Sequence, residues 1–141
     1  MKISSQILGW LVLTFTVLSC QTNPPLSEGA RQALGTLQVT DGFTVELFAS
    51  EPLIADPVAM EIDEYGRMYV VEMHGYPLDT EGSGKVKILT DTNDDGLPDN
   101  STTFAEGLIL PTGIMRWKEG LLVTDAPDVL YLADTTGDNV A

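Results

Sequence analysis

The chain has 141 residues, 21 of them acidic and 7 basic, for a net charge of −14 at pH 7. Such a surface repels phosphate backbones and anionic lipid, which excludes nucleic acid as a partner and excludes membrane recruitment by charge. One Cys excludes an internal disulfide framework or a zinc ribbon, one His excludes a two-His metal site within the chain, and a hydrophobic share of 43% excludes disorder over most of its length.

The first 20 residues read as a lipoprotein signal peptide. Met1-Lys2 supplies a positive start, and Ile7 to Leu18 is an apolar run of 12 residues. That is shorter than the roughly 20 residues a membrane span needs and suits a signal core. It ends in Val17-Leu18-Ser19-Cys20, which resembles a bacterial lipobox, with cleavage before Cys20 and lipid on its thiol. The lone Cys then has a role and leaves no unpaired thiol in an oxidising compartment. The expected location is the exported side of the bacterial cell envelope, periplasmic or at the outer-membrane face, with the lipid anchor holding the chain to the membrane. Residues 21–36 read as a linker that is part helical. Gln21 to Gly29 is polar with two prolines, and Glu28 to Leu37 is the one helical candidate.

From residue 37 onward the pattern is all-β. Short runs with alternating or β-branched character occur at 43–49, 57–63, 67–73, 85–90, 101–105, 112–117, 120–125 and 128–133, each bounded by Gly, Pro or Asp. A self-comparison finds a repeat among them. Lys85 to Asp91 aligns with Asp128 to Asp134 at an offset of 43. Gly66 to Glu72 aligns with Gly120 to Asp125 at 53 to 54, and Pro57 with Pro111, because the first copy carries about ten extra residues near His74 to Gly84. A unit of that length with four short strands is a β-propeller blade. The expected fold is therefore a partial propeller of about two four-stranded antiparallel blades over residues 37–141. The strand at 43–49 is expected to complete another blade, and Met60 and Trp117 to be core residues of the first strand in each blade. Two blades cannot close a ring, so the chain is expected to be the N-terminal part of a longer protein, the remaining blades lying outside it.

Three features carry chemistry. Asp91, Asn93, Asp95 and Asp99 place oxygen ligands at alternate positions around Gly96, the front half of a calcium loop. Thr102 stands where an EF-hand needs Glu and the flanks are strands, so the loop is not an EF-hand, and a solvated turn explains the same residues. His74 is the single side chain with an ordinary titration range near neutrality, just past a strand in Glu72-Met73-His74-Gly75-Tyr76. Glu72 and Asp125 take matching positions at the ends of repeated strands. His74, Glu72 and Asp125 are the candidate catalytic residues. Blade connectivity puts them at one end with Asp56 and the Asp91 loop at the other. Nucleophile-elbow, phosphate-loop, C-x-x-C-H and dinucleotide motifs are absent from the sequence.

Taken together, Gly42 to Leu47, Ser50 to Ile54, Asp56 to Ala59, Asp63 to Met73, Gly75-Tyr76-Pro77, Asp91 to Asp99 and Gly107 to Gly113 resemble a family of exported bacterial proteins named membrane-bound dehydrogenases. Their propeller is related to the glucose/sorbosone dehydrogenases. The resemblance covers about residues 35–141. It implies oxidation of sugars or related alcohols by a PQQ-like quinone at the propeller's top face, with electrons passed to a haem domain further along the chain. It supplies no catalytic or quinone-binding position here, and the fragment alone is expected to be inactive. Two other readings fit the residues. One is a non-enzymatic propeller scaffold that binds glycan or protein. The other is a calcium-stabilised adhesion module built on the acidic turns. The reading frame beyond Ala141 in the source DNA tests the repeat model. Further copies of the roughly 43-residue unit followed by C-x-x-C-H are expected, and a stop codon at 142 would leave a two-blade remnant.

Overall fold

The structure, a computed structural model, describes residues 27–78 and 80–141; the leader and Cys20 lie outside the described residues. A short helix, α1 (Glu28–Thr36), precedes seven strands: β1 (Pro57–Ile62), β2 (Met68–Glu72), β3 (Gly84–Thr90), β4 (Asn100–Leu108), β5 (Pro111–Trp117), β6 (Gly120–Asp125) and β7 (Asp128–Leu132). They form two antiparallel sheets, β1-β2-β3-β4 and β5-β6-β7, each in chain order. The all-β, propeller-like reading is correct, and no barrel closes among the described residues.

Helix α1 starts where the Ser27 hydroxyl accepts the Ala30 N–H at 3.1 Å, with Glu28 in the first turn. It buries no residue and contributes nothing to the core.

Each sheet keeps the same internal frame. Proline cannot donate to a ladder, and both first strands bulge directly after one, between Pro57 and Ala59 and between Pro111 and Gly113. Strand pairing aligns β1 with β5 at an offset of 54, β2 with β6 at 53 and β3 with β7 at 43. The change between the first two offsets falls in the hairpin turns. The turn in the first sheet has three residues between Asp63 and Arg67, where the second has Lys118 and Glu119 between Trp117 and Gly120. Gly120 has no alternative there, because a Cβ would collide with the Leu132 carbonyl oxygen across the ladder.

The core lies between the sheets. Tyr69, Val71, Val86 and Ile88 project from one face of the first sheet, joined by Phe104 and Leu108. They meet Leu121 and Val123 of the second, with Ile114, Leu130 and Leu132 packed at the margin. Val71, Val86 and Val123 are completely buried. The Tyr69 and Phe104 rings meet edge to face at 5.3 Å. The outward faces differ from expectation. Met60 is 60% exposed and Trp117 50% exposed, so neither is a core residue. Strand alternation sends both to the side of the sheet away from the seam, where no other sheet covers them.

Residues 43–49 do not form the expected strand. A strand exists through its ladder, and this segment has no partner among the described residues. Instead Phe48, Ala49 and Ile54 lie against the outward face of the first sheet and flank a groove over Met60, Met68, Val70 and Leu89. Of the alternating segment only Phe48 and Ala49 reach that face, while Phe43 is 73% and Val45 47% exposed.

The hairpin between β1 and β2 is held by Asp63, whose side chain is fully buried. Its carboxylate accepts the Tyr65 and Arg67 N–H groups, each at 2.9 Å, and the Arg67 Nε–H at 2.6 Å. Arg67 in turn sits over the Tyr65 and Tyr69 rings at 5.6 and 5.7 Å. Burial on its own would raise the Asp63 carboxyl, but the Arg67 side chain and the two backbone donors outweigh it, and the net shift is downward. A lowered carboxyl contributes stability above its unfolded value of about 3.9 and loses it as pH falls through the folded value. Urea unfolding is therefore expected to show a plateau from pH 7 to about 5 and a falling midpoint below about pH 4. Asp63→Asn is expected to cost about 2 kcal/mol at pH 7 and to shrink that acid-dependent loss.

Candidate functional site

Strand alternation and the bulge after Pro57 bring Asp56 to the same end of the first sheet as Glu72 and His74. Asp56 precedes β1, Glu72 ends β2, and His74 follows it by two residues. His74 Nδ1 lies 3.2 Å from Asp56 Oδ2, and its Nε2 lies 3.0 Å from Glu72 Oε2. Glu72 is buried, 1% exposed, while Asp56 faces solvent. The second Glu72 oxygen accepts the Ala55 N–H at 2.8 Å and pairs with Lys87 Nζ at 3.2 Å. Lys87 also donates to the Leu53 carbonyl at 3.1 Å, so it ties the 50–56 segment to the sheet. Asp56 adopts a left-handed backbone, φ 47°, which Asp tolerates better than most residues. Its carbonyl accepts the Met73 N–H at 3.1 Å. A shallow cleft lined by Asp56, Pro57, Val58, Met73, Gly75 and Tyr76 opens beside this cluster.

The chemistry of the cluster is constrained. Both imidazole nitrogens of His74 face carboxylates, and which of them donates depends on the tautomer. Glu72 is likewise fully engaged. The cluster fastens the segment ahead of β1 to the end of β2.

Asp125 does not join His74. It takes the structural place of Glu72 in the second sheet. Its carboxylate accepts the Ile109 N–H at 3.0 Å and the Leu110 N–H at 2.6 Å. Ile109 stands two residues before Pro111, as Ala55 stands two before Pro57. In both sheets a carboxylate at the end of the second strand thus satisfies backbone donors of the segment entering the first. The sequence repeat at Glu72 and Asp125 is this shared fastening.

The acidic turns repeat in the same detail. Asp91 accepts the N–H groups of Gly96 at 2.7 Å, Asn93 at 3.1 Å and Asp95 at 3.4 Å. Asp134 accepts those of Gly137 at 2.6 Å, Asn139 at 2.8 Å and Thr136 at 3.0 Å. Left-handed residues fall at corresponding positions, Asp94 with Gly137 and Gly96 with Asn139. These backbone donors hold both carboxyls below the ordinary Asp range, led by the Gly96 N–H for Asp91 and the Gly137 N–H for Asp134. Of the other expected calcium ligands, Asn93 accepts the Asp95 N–H, Asp95 accepts the Leu97 N–H, and Asp99 accepts from the Thr92 N–H and hydroxyl. Their oxygens close the turn on itself. Among the described residues no group of three or more His, Cys, Asp or Glu is arranged to hold a metal ion.

Two contributors were missed in the sequence. Lys87 stands diagonal to Glu72 on the same sheet face, a relation visible only once the register is known. Arg116 donates twice to Glu64, each bond 3.0 Å, and to the Gly120 carbonyl at 2.8 Å, tying the second sheet to the hairpin of the first. Nothing in the local sequence of either residue marks it.

A propeller-like repeat whose sheets are fastened by buried carboxylates is the class this architecture defines. The chain belongs to the family described as Domain of unknown function (DUF7133), whose model matches residues 29–141. No curated protein and no solved structure matches the chain.

Glu72→Gln keeps the shape of the side chain but removes the charge that compensates Lys87. A loss of about 3 kcal/mol in chemical denaturation is expected, with part of it recovered in Glu72→Gln/Lys87→Met. Full additivity of the two changes would show that the pair is not coupled.

Proposed function

We propose that this chain is the N-terminal part of a lipid-anchored, exported dehydrogenase-like propeller of the bacterial cell envelope. In the full-length protein it oxidises sugars or related alcohols with a quinone cofactor. The observation that carries the propeller part is the repeat itself. Two successive sheets share bulge positions, carboxylate fastenings and acidic-turn geometry. The oxidation chemistry rests on the resemblance carried by residues 42–113. Lipid on Cys20 and the envelope location rest on the leader sequence. Among the described residues no helix is long and apolar enough to cross a membrane.

An anionic quinone needs converging cations, and three of the described ones are already paired, Arg67 with Asp63, Arg116 with Glu64, and Lys87 with Glu72. In this reading the chain supplies the frame and the end surface around Asp56, His74 and Tyr76, and no catalytic step is assigned to its residues. The commitment of both His74 nitrogens favours a second reading, a propeller scaffold that binds glycan or protein without redox chemistry.

The test uses the full-length protein encoded by the source DNA. Reduction of an artificial electron acceptor by aldoses or alcohols, dependent on added PQQ, is expected. Absence of turnover, with retained binding to a glycan array, would replace the first reading by the second. A melting temperature raised by calcium and abolished by Asp91→Ala would instead favour the adhesion module.

A further inference from the structure

His74 bridges two carboxylates of unequal standing. Its Nδ1 lies 3.2 Å from Asp56 Oδ2 and its Nε2 lies 3.0 Å from Glu72 Oε2. An ionised carboxylate only accepts, and a neutral imidazole carries a single N–H, so the neutral ring donates to one of the two. Toward the other it turns a lone pair against a negative oxygen. Only the imidazolium donates on both sides, so the doubly bridged arrangement is that of the protonated ring. Histidine is the side chain that ordinarily passes between these two states from about pH 5 to 8, and this chain has one.

The two bonds do not release equally. Glu72 is 1% exposed, and its other oxygen accepts the Ala55 N–H at 2.8 Å and pairs with Lys87 Nζ at 3.2 Å. Losing the His74 donor would leave Oε2 buried, away from water and against a lone pair. The Asp56 side chain is 67% exposed, so water replaces the bond there at little cost. The last proton of the ring therefore stays on Nε2. The Asp56 backbone does not depend on the ring, because its carbonyl accepts the Met73 N–H at 3.1 Å. What comes loose is the Asp56 carboxylate, at the rim of the cleft shared with Pro57, Met73 and Tyr76.

We propose that His74 is a proton-operated clasp on Asp56. Protonated, it ties Asp56 to Glu72 through one ring and its charge offsets the carboxylate at the cleft rim. Deprotonated, it keeps Glu72 and frees Asp56 toward solvent and cleft. Charged and titratable groups reach the clasp from four elements. Asp56 comes from the segment ahead of β1, Glu72 from β2, and Tyr76 from the connection that carries His74. From β3 come Lys87 and Lys85, the latter opposite Glu72 in the register and on the same sheet face. Both lysines stand on the Glu72 side, so the surviving bond is the one with countercharge beside it. Ala55 and Leu53 of the same chain close over the buried end, through Glu72 and Lys87. The clasp is thus complete within this chain, whatever packs against either sheet. It asks for no redox chemistry and stands apart from the proposed function.

The test uses the full chain, isotope-labelled, in a mild detergent that shields the apolar leader. A single histidine gives a single pair of imidazole nitrogens, so long-range proton–nitrogen magnetic resonance spectra report His74 alone. Both nitrogens are expected to carry protons at about pH 5, and at about pH 8 Nδ1 is expected bare with the proton on Nε2. The Hα–Hβ couplings of Asp56 are expected to pass from one rotamer to a rotamer average with the same midpoint. In His74→Gln, with an unchanged far-ultraviolet circular dichroism spectrum, those couplings are expected to be independent of pH. Asp56→Asn is expected to weaken proton binding at His74 about threefold. Asp56 held in one rotamer across the range would overturn the proposal, as would a bare Nε2 at the alkaline end. So would a pH response of Asp56 that survives in folded His74→Gln, or a proton affinity of His74 indifferent to Asp56→Asn.

Discussion

Where the two sheets meet, Val71, Val86 and Val123 lose all contact with water, and the rest of the molecule is arranged around that seam. Hydrophobic burial has no direction of its own, so a seam of aliphatic side chains would let the sheets slide. Direction comes from its rim. The Glu64–Arg116 pair joins the first hairpin to the second sheet, and the Ala141 N–H reaches the Phe104 carbonyl on β4 at 2.9 Å. Apolar contact supplies the attraction and a few polar bonds supply the registration.

The acidic composition takes on a different meaning in this setting. A net charge of −14 suggests a solvating surface, yet Asp63, Glu72 and Asp125 accept backbone N–H groups from buried positions, and Asp91 and Asp134 do the same within surface turns. Short strands joined by tight turns leave many amide donors without a ladder partner, and each must be satisfied. A carboxylate accepts several at once and does so more strongly than a neutral group. Much of the acidity of the chain is therefore the cost of closing turns in a fold built of many short strands.

Legibility in the sequence followed how local each feature was. The seven strands, their order and the repeat offsets were readable because alternation, bounding prolines and matched Asp-rich turns are local signals. The one helix, expected over Glu28 to Leu37, forms over Glu28–Thr36. The segment at 43–49 was misread because alternation records an apolar edge and does not record whether a ladder partner exists. Met60 and Trp117 were misassigned to the core for a related reason: residue type does not say which of two sheet faces is covered. Within the candidate site, Glu72 and Asp125 were matched correctly as repeat equivalents, but their task as backbone acceptors was not visible. Neither was the pairing of His74 with both Asp56 and Glu72, which depends on a left-handed residue before β1. Lys87 and Arg116 act across strands and sheets, and only three-dimensional register reveals them.

The connection from β2 to β3 runs through residues 73–83, whereas β6 passes to β7 through Ala126 and Pro127 alone. Both connections leave from the same fastening, a buried carboxylate bound to the segment ahead of the first strand. The frame of the repeat is thus closed before the connection begins, and its length is decoupled from the sheet beneath it. Such an arrangement makes that end of each unit a socket in which loop size and chemistry can change while the architecture stays constant. Diversity in this fold would then accumulate at one rim, with the opposite rim of self-closed acidic turns conserving shape.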